Sequence, residues 1–337
     1  MLNIGIIGAG RIGKVHAESI TYHVKDAVVK SIADPYMNDD TKAWATSLGI
    51  ENITTDYHEI LNDTSIDAVL ICSSTDTHAD ISIEAIKANK HVFCEKPISQ
   101  DLSKIKEVME ALKTSSVKYQ VGFNRRFDHN FEAVKAAVAA GKIGDVHIVK
   151  VTSRDPDAPP IEYVKVSGGM FLDMTIHDFD MVRYLTASDV VEVSAYGTAL
   201  VNPAIKDAGD IDTAIITMKL ANGALAVIDN SRKAAYGYDQ RAEVFGSLGQ
   251  VAVTNDSNST AVISTEEGVT GEKPLYFFLE RYMASFSKEV SLFVQAILKD
   301  TEVPVNINDG LQPVLIAKAA KKSVEENRPV LLSEIEF

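Results

Sequence analysis

The chain holds only two cysteines, Cys72 and Cys94, and a single tryptophan. Two thiols cannot form the disulfide framework of a small secreted domain, and their scarcity points to a reducing compartment, the cytoplasm. Basic residues are also in deficit: 33 Lys and Arg stand against 47 Asp and Glu, a net charge of -14. Phosphate binding needs clustered Lys and Arg, so nucleic acid is excluded as a partner, and an anionic membrane surface with it. No uncharged apolar run is long enough to span a bilayer, and no basic stretch precedes an apolar core at the start. The opening LNIGIIGAG is too short for either role and reads as a strand. No repeat at a fixed period and no low-complexity tract is present.

What is there is ordinary for a folded protein: 46% hydrophobic and 24% charged residues. At 337 residues the chain is long enough for two domains, each with a sizeable core. The first ~120 residues alternate short β-rich runs with helical segments, the pattern of βαβ units around a parallel sheet. Asn3 to Ile7, Ala27 to Asp34, Ile66 to Ser74, HVFCE and KYQVGFN read as strands; Lys14 to His23, HADISIEAIKAN and LSKIKEVMEALKTS read as helices. Beyond Gly122 the texture changes. A helix ended by Gly141 and Gly144 is followed by a strand, then by the strand pairs TAIITMKL-ANG-ALAVIDNS and QRAEVFG-SLG-QVAVTN. Two long amphipathic helices, Phe278 to Lys299 and Gly310 to Glu326, close the chain. The expected organisation is an α/β domain over 1–122 and an α+β domain with a large, mostly antiparallel open sheet over 123–337.

GAGRIG places Gly8, Gly10 and Gly13, with Arg11 and Ile12 between them, directly after the first strand and at the mouth of a helix. In a dinucleotide site the first glycine permits the tight turn, the second lets pyrophosphate approach the backbone, and the third permits close helix–strand packing. The helix N-terminus then offers unpaired N–H groups to the phosphates. Asp34 ends the second strand, 21 residues past Gly13, where a carboxylate accepts from both adenosine ribose hydroxyls and repels a 2′-phosphate. The expected cofactor is therefore NAD rather than NADP, although Arg11 could touch a phosphate.

CEKP, Cys94 to Pro97, falls where a strand of such a sheet runs out, the edge at which ligands collect. Lys96 beside a nicotinamide could donate to a substrate hydroxyl; taken alone, the motif is an ordinary surface lysine before a proline turn. Two thiols without CxxC spacing are buried cysteines rather than a metal site.

The stretch SGGMFLDMTIHDFDM, Ser167 to Met181, is mostly apolar yet carries Asp173, His177, Asp178 and Asp180. On one continuous helix advancing about 100° per residue, Asp173, His177, Asp180 and Tyr184 fall within roughly 60° of one another. Three readings compete: a solvated acidic face, a metal site without a further ligand, and a general base His177 oriented by Asp173. Paired with a nicotinamide site and a candidate lysine, the third accounts for most.

Taken in order and at these distances, GAGRIG, CEKP and GGMFLDMTIHDFDM resemble the glucose–fructose oxidoreductase/inositol dehydrogenase/rhizopine-catabolism family over the whole chain. VGFNRRFD, TSRDP and NSRKAAYGYDQR look like its inositol 2-dehydrogenase branch. The resemblance implies a Rossmann domain followed by an open sheet used for substrate binding and for subunit contacts, with a homotetramer expected. It implies Lys96, Asp173 and His177 as the catalytic set. Asp34 would bind the adenosine ribose; Ser73, Ser74 and His78 would lie along the cofactor; Glu95 would lie near its nicotinamide ribose. Arg126, Asp155, Asp180 and Tyr236 would contact the polyol, and Asn124 would fit between cofactor and substrate. The expected activity is oxidation of a ring hydroxyl of myo- or scyllo-inositol to the 2-ketone, with no metal. Another sugar or polyol dehydrogenase, an NAD-dependent glycosidase and a binding protein stand as alternatives.

Overall fold

A computed structural model describes all 337 residues. The first half runs β1 (Leu2–Ile7), α1 (Arg11–His23), β2 (Ala27–Ala33), α2 (Asp39–Ser47), β3 (Asn52–Thr54), α3 (Tyr57–Asn62), β4 (Ala68–Ile71), α4 (His78–Lys87), β5 (His91–Glu95), α5 (Leu102–Lys113) and β6 (Tyr119–Gly122). The six strands form one sheet in the order β3-β2-β1-β4-β5-β6, every pairing parallel. All four residues of β4 are buried, as a strand covered on both faces requires. The carboxyl ends of these strands carry Gly8, Asp34, Cys72, Lys96 and Phe123, and the order reverses between β1 and β4. That switch point is where an open α/β sheet binds ligands.

The second half runs α6 (His129–Ala139), β7 (Val146–Arg154), α7 (Ile161–Val164), α8 (Met170–Asp173), α9 (Ile176–Thr186), β8 (Val190–Thr198), α10 (Pro203–Asp207), β9 (Thr213–Leu220), β10 (Leu225–Ser231), β11 (Asp239–Gly246), β12 (Gly249–Val253), β13 (Val262–Thr265), β14 (Gly268–Gly271), α11 (Phe278–Arg281), α12 (Met283–Leu298), α13 (Ile307–Glu326) and β15 (Val330–Leu331). Seven strands make the second sheet, ordered β12-β11-β7-β10-β9-β8-β15. Only β7 and β10 pair in parallel; the other pairings are antiparallel. Along β9 buried and outward residues alternate strictly, so one face is packed and the other bare. The packed face carries Val149, Val151, Ile216, Met218, Ile228 and Val244, all buried. Ile148, Tyr196, Ile215, Leu225 and Phe245 stand exposed on the bare side.

The compact units are not consecutive in sequence. The first comprises Met1–Phe127, Met283–Val314 and Phe337; the second comprises Asp128–Tyr282 and Leu315–Glu336. A linear cut at Gly122 therefore misses α12, whose Val290, Phe293 and Val294 join Ile4, Ile6, Ile20, Ile32, Leu70 and Phe93 in one core. The hydrophobic period shows α12 as an amphipathic helix but carries no information about which sheet its apolar face will cover.

Candidate active site

The three glycines of the first loop answer to different constraints. Gly8 has φ +103°, and a Cβ on it would stand 2.6 Å from the Cys72 carbonyl and the Ser73 nitrogen. A Cβ on Gly13 would stand 1.9 Å from the Gly8 oxygen, so α1 could not approach β1. Around Gly10 a Cβ would meet nothing within 4 Å, and its φ of -71° suits any residue. The chain itself does not need a glycine there; a ligand approaching the backbone does. Arg11 is exposed and Ile12 half-buried at the start of α1. Asp34 is held by two backbone donors, accepting from Ala9 N–H at 2.7 Å and from Tyr36 N–H at 2.8 Å. Its carboxylate is thereby tied to the glycine loop. These features fit a dinucleotide, which Gly8 to Gly13 would hold at its pyrophosphate and Asp34 at a ribose.

Ser73 and Ser74 follow β4; Ser74 is exposed, and Ser73 shares a hydrogen bond with Thr77 at 2.7 Å. His78, expected along the cofactor, is the first residue of α4. It is 2% exposed, with Nδ1 2.8 Å from the Pro97 carbonyl and Nε2 3.0 Å from the Ser73 carbonyl. The imidazole ties the loop after β4 to the loop after β5. Burial opposes its charge, but the Cys94 sulfur and the two carbonyls outweigh it and hold the ring up at about 9. Glu95, expected near the nicotinamide ribose, is the last residue of β5. Its carboxylate turns inward, 2.8 Å from His16 Nε2, and a Cβ on Gly122 would meet it at 3.0 Å. Lys96, the next residue, is half-buried at the end of β5. Asn124 and Arg126 are buried in the turn after β6, with Arg126 donating to Asp309 at 3.0 Å.

In the second unit the acidic stretch is not one helix. α8 ends at Asp173 and α9 begins at Ile176, with Met174 and Thr175 between. The single-helix wheel therefore does not place Asp173. Gly168 and Gly169, at φ +86° and +83°, let the chain turn into α8, where Met170 N–H donates to Asp210 at 3.0 Å. Thr175 donates to Asn230 at 2.6 Å, and Asn230 donates to Asp178 at 2.9 Å, which pins the start of α9 to β10. Asp178 is 0% and Asp180 1% exposed, so the acidic residues do not form a solvated face. Tyr184 is half-buried, with Lys135 over its ring at 5.6 Å.

Asp173 is half-buried and gripped from two sides: Tyr163 donates to Oδ1 at 2.7 Å and Arg232 to Oδ2 at 2.8 Å. The other terminal nitrogen of Arg232 lies 3.4 Å from Asp155. Burial opposes the guanidinium charge, while Asp173 and then Asp155 hold it. His177 follows one turn later, half-buried. Tyr236 is exposed and donates to Asp239 at 2.6 Å while accepting from Arg154 at 3.2 Å. Sequence reasoning misses Arg232, Tyr163 and Asn230 as parts of this assembly. The signal lies in NSRKAAYGYDQR, which contains Asn230 and Arg232, but their partners are 52 to 77 positions away in sequence. An imidazole, two carboxylates, a phenol and a guanidinium can together bind neighbouring hydroxyls and move a proton.

Comparison with known proteins agrees with both halves. Residues 2–123 match the family model described as oxidoreductase family, NAD-binding Rossmann fold, and residues 131–252 match the GFO/IDH/MocA C-terminal domain. A myo-inositol 2-dehydrogenase of Thermotoga maritima is 47% identical over 99% of both chains. An inositol 2-dehydrogenase of Rhizobium meliloti is 44% identical over 98% of this chain and 99% of its own. The crystal structure of scyllo-inositol dehydrogenase from Lactobacillus casei with bound NAD(H) and scyllo-inositol superposes with a TM-score of 0.91 at 32% identity, covering 99% of each chain. The sheet order, the glycine loop and the matched domains lead to one assignment: the chain belongs to the GFO/IDH/MocA oxidoreductase family.

Proposed function

We propose that this protein is an NAD-dependent inositol 2-dehydrogenase that oxidises a ring hydroxyl of myo- or scyllo-inositol to the 2-keto-inositol. The observation that carries the reading is the joined set Asp155–Arg232–Asp173 ahead of His177, a polar surface suited to several adjacent hydroxyls. Relatives named as inositol dehydrogenases, full-length and at 44–47% identity, support it. Residues 1–122 supply the dinucleotide site and 123–337 the substrate residues and subunit contacts.

Lys96, Asp173 and His177 form the catalytic set. NAD⁺, when bound, supplies the hydride acceptor. Neutral His177 takes the proton of the reacting hydroxyl at a ring nitrogen, and the negative charge of Asp173 stabilises the imidazolium. Lys96 donates a hydrogen bond to the reacting oxygen and stabilises charge building there. Asn124, Arg126, Asp155, Asp180 and Tyr236 orient the ring, because a polyol with many similar hydroxyls is read by its hydrogen-bond pattern. The two free cysteines support a cytoplasmic location. The bare face of the second sheet, with Tyr196, Ile215 and Phe245, supports assembly into a homotetramer, which light scattering on the purified protein tests.

The decisive assay is initial-rate reduction of NAD⁺ and NADP⁺ with myo-inositol, scyllo-inositol and D-glucose, for wild type and Lys96→Ala. A rate with NAD⁺ and one inositol, abolished in the variant, is expected and names the isomer. Dinucleotide binding without NADH from either inositol would refute the substrate assignment.

A further inference from the structure

Two buried ionisable side chains have no part in the chemistry above. His16 lies on α1 and Glu289 on α12, both 0% exposed, and between them sits Glu95, the last residue of β5. One ligand-type atom from each of the three falls within 4.8 Å of the others. His16 Nε2 is 2.8 Å from Glu95 Oε1, and its ring is set edge-on to Phe93 at 5.1 Å and Phe286 at 5.7 Å. The Glu289 backbone carbonyl accepts from Gln120 at 3.0 Å, which fixes the helix. Both side-chain oxygens of Glu289, in contrast, have no hydrogen-bond partner.

Two carboxylates this close, walled off from water, cannot both be ionised at acceptable cost. His16 is already engaged with Glu95. The other ionisable groups nearby are Cys72 beyond β4, and Arg125 and Arg126 on the turn packed against α12, with Arg126 paired to Asp309. Burial first, and the neighbouring Glu95 second, push the Glu289 carboxyl well above the usual range.

We propose that Glu289 is a neutral carboxylic acid at working pH and a positioning residue for Lys96, because its proton lets Glu95 stay folded inward at the end of β5. The inference rests on the proposed role of Lys96, which is peptide-bonded to Glu95. Ionising Glu289 would place two like charges in an apolar wall, and Glu95, at the end of its strand, is the group that gives way.

The test compares full-length wild type, Glu289→Gln and Glu289→Leu for kcat against pH from neutrality upward, with the inositol that wild type oxidises, alongside thermal melts and metal content. Glutamine and leucine are both uncharged at every pH, so near neutrality kcat should stay within about twofold in each, and only wild type should lose kcat as pH climbs and Glu289 ionises. A group whose carboxyl is raised on folding contributes stability that fades as pH climbs through the folded value. The melting temperature of wild type should therefore fall more steeply with alkali than that of Glu289→Gln. Parallel melting curves, or a large loss of kcat in Glu289→Gln, would overturn the proposal. So would a stoichiometric divalent ion whose removal by chelator mimics that loss, since it would make Glu289 an ionised ligand. If wild type turns over no inositol, the role of Lys96 falls with the function, while the melts still decide the charge of Glu289.

Discussion

Arg232 donates to Asp173 at 2.8 Å, and that contact ties the residue following β10 to the last residue of α8. Arg232 is 4% exposed, so the pair is screened far less than a surface salt bridge. Replacing it with glutamine removes a charge-assisted bond to Asp173 and a contact to Asp155 together. We expect kcat/KM for the inositol to fall by about 10- to 100-fold, the equivalent of roughly 1–3 kcal/mol. The affinity for NAD should not change, which isothermal titration measures separately. Equal losses in both would mean that Arg232 supports the fold rather than the polyol site.

The glycine loop gives a pair of opposite outcomes. Gly13→Ala drives a methyl group to 1.9 Å from the Gly8 oxygen and should destabilise the protein by about 1–3 kcal/mol, read as a lowered melting temperature. Gly10→Ala meets no atom of the chain within 4 Å, so it should melt like wild type yet bind NAD weakly. A Gly10→Ala variant with unchanged NAD affinity would place the pyrophosphate elsewhere.

Asp34 accepts from Ala9 and Tyr36 and so is already aimed before any ribose arrives. Asp34→Ser should lower kcat/KM with NAD⁺ by about 10- to 100-fold and narrow its preference over NADP⁺, whose 2′-phosphate no longer meets a carboxylate. Initial rates with both cofactors give the ratio; an unchanged ratio would remove Asp34 from the specificity argument.

His78 predicts a pH dependence of stability. Its imidazole, raised from 6.5 to about 9, contributes stability present in full below about 6.5 and lost as pH rises through about 9. The difference corresponds to about 3 kcal/mol at most. Wild type should therefore lose melting temperature between neutral and alkaline pH, and His78→Gln should start lower and decline less. Melts across that range distinguish this from an unprotonated ring, for which the two slopes would match.

Much of this is legible in the residues. Strands and helices of the first half follow from a period switch between 2 and 3.6 and from glycine punctuation, both local in sequence. Asp34 and Lys96 are readable because each directly follows a strand. The break at Met174 and Thr175 is not, since nothing in MFLDMTIHDF is a helix breaker; the Thr175–Asn230–Asp178 bonds hold that break from β10. Arg232 and Glu289 are opaque for the same reason. Their meaning lies in partners that the fold brings from 59 and 194 positions away.

The core of the nucleotide-binding unit has a bearing on how the chain is made. Val290, Phe293 and Val294 fill the same interior as Ile4 and Phe93, yet the whole second sheet except β15 is synthesised before them. A ribosome that has released β1 through β6 has therefore delivered a sheet with one side wall still missing. That half must wait for α12 to emerge, and a polypeptide ending at residue 122 would leave Phe93 and its neighbours in water.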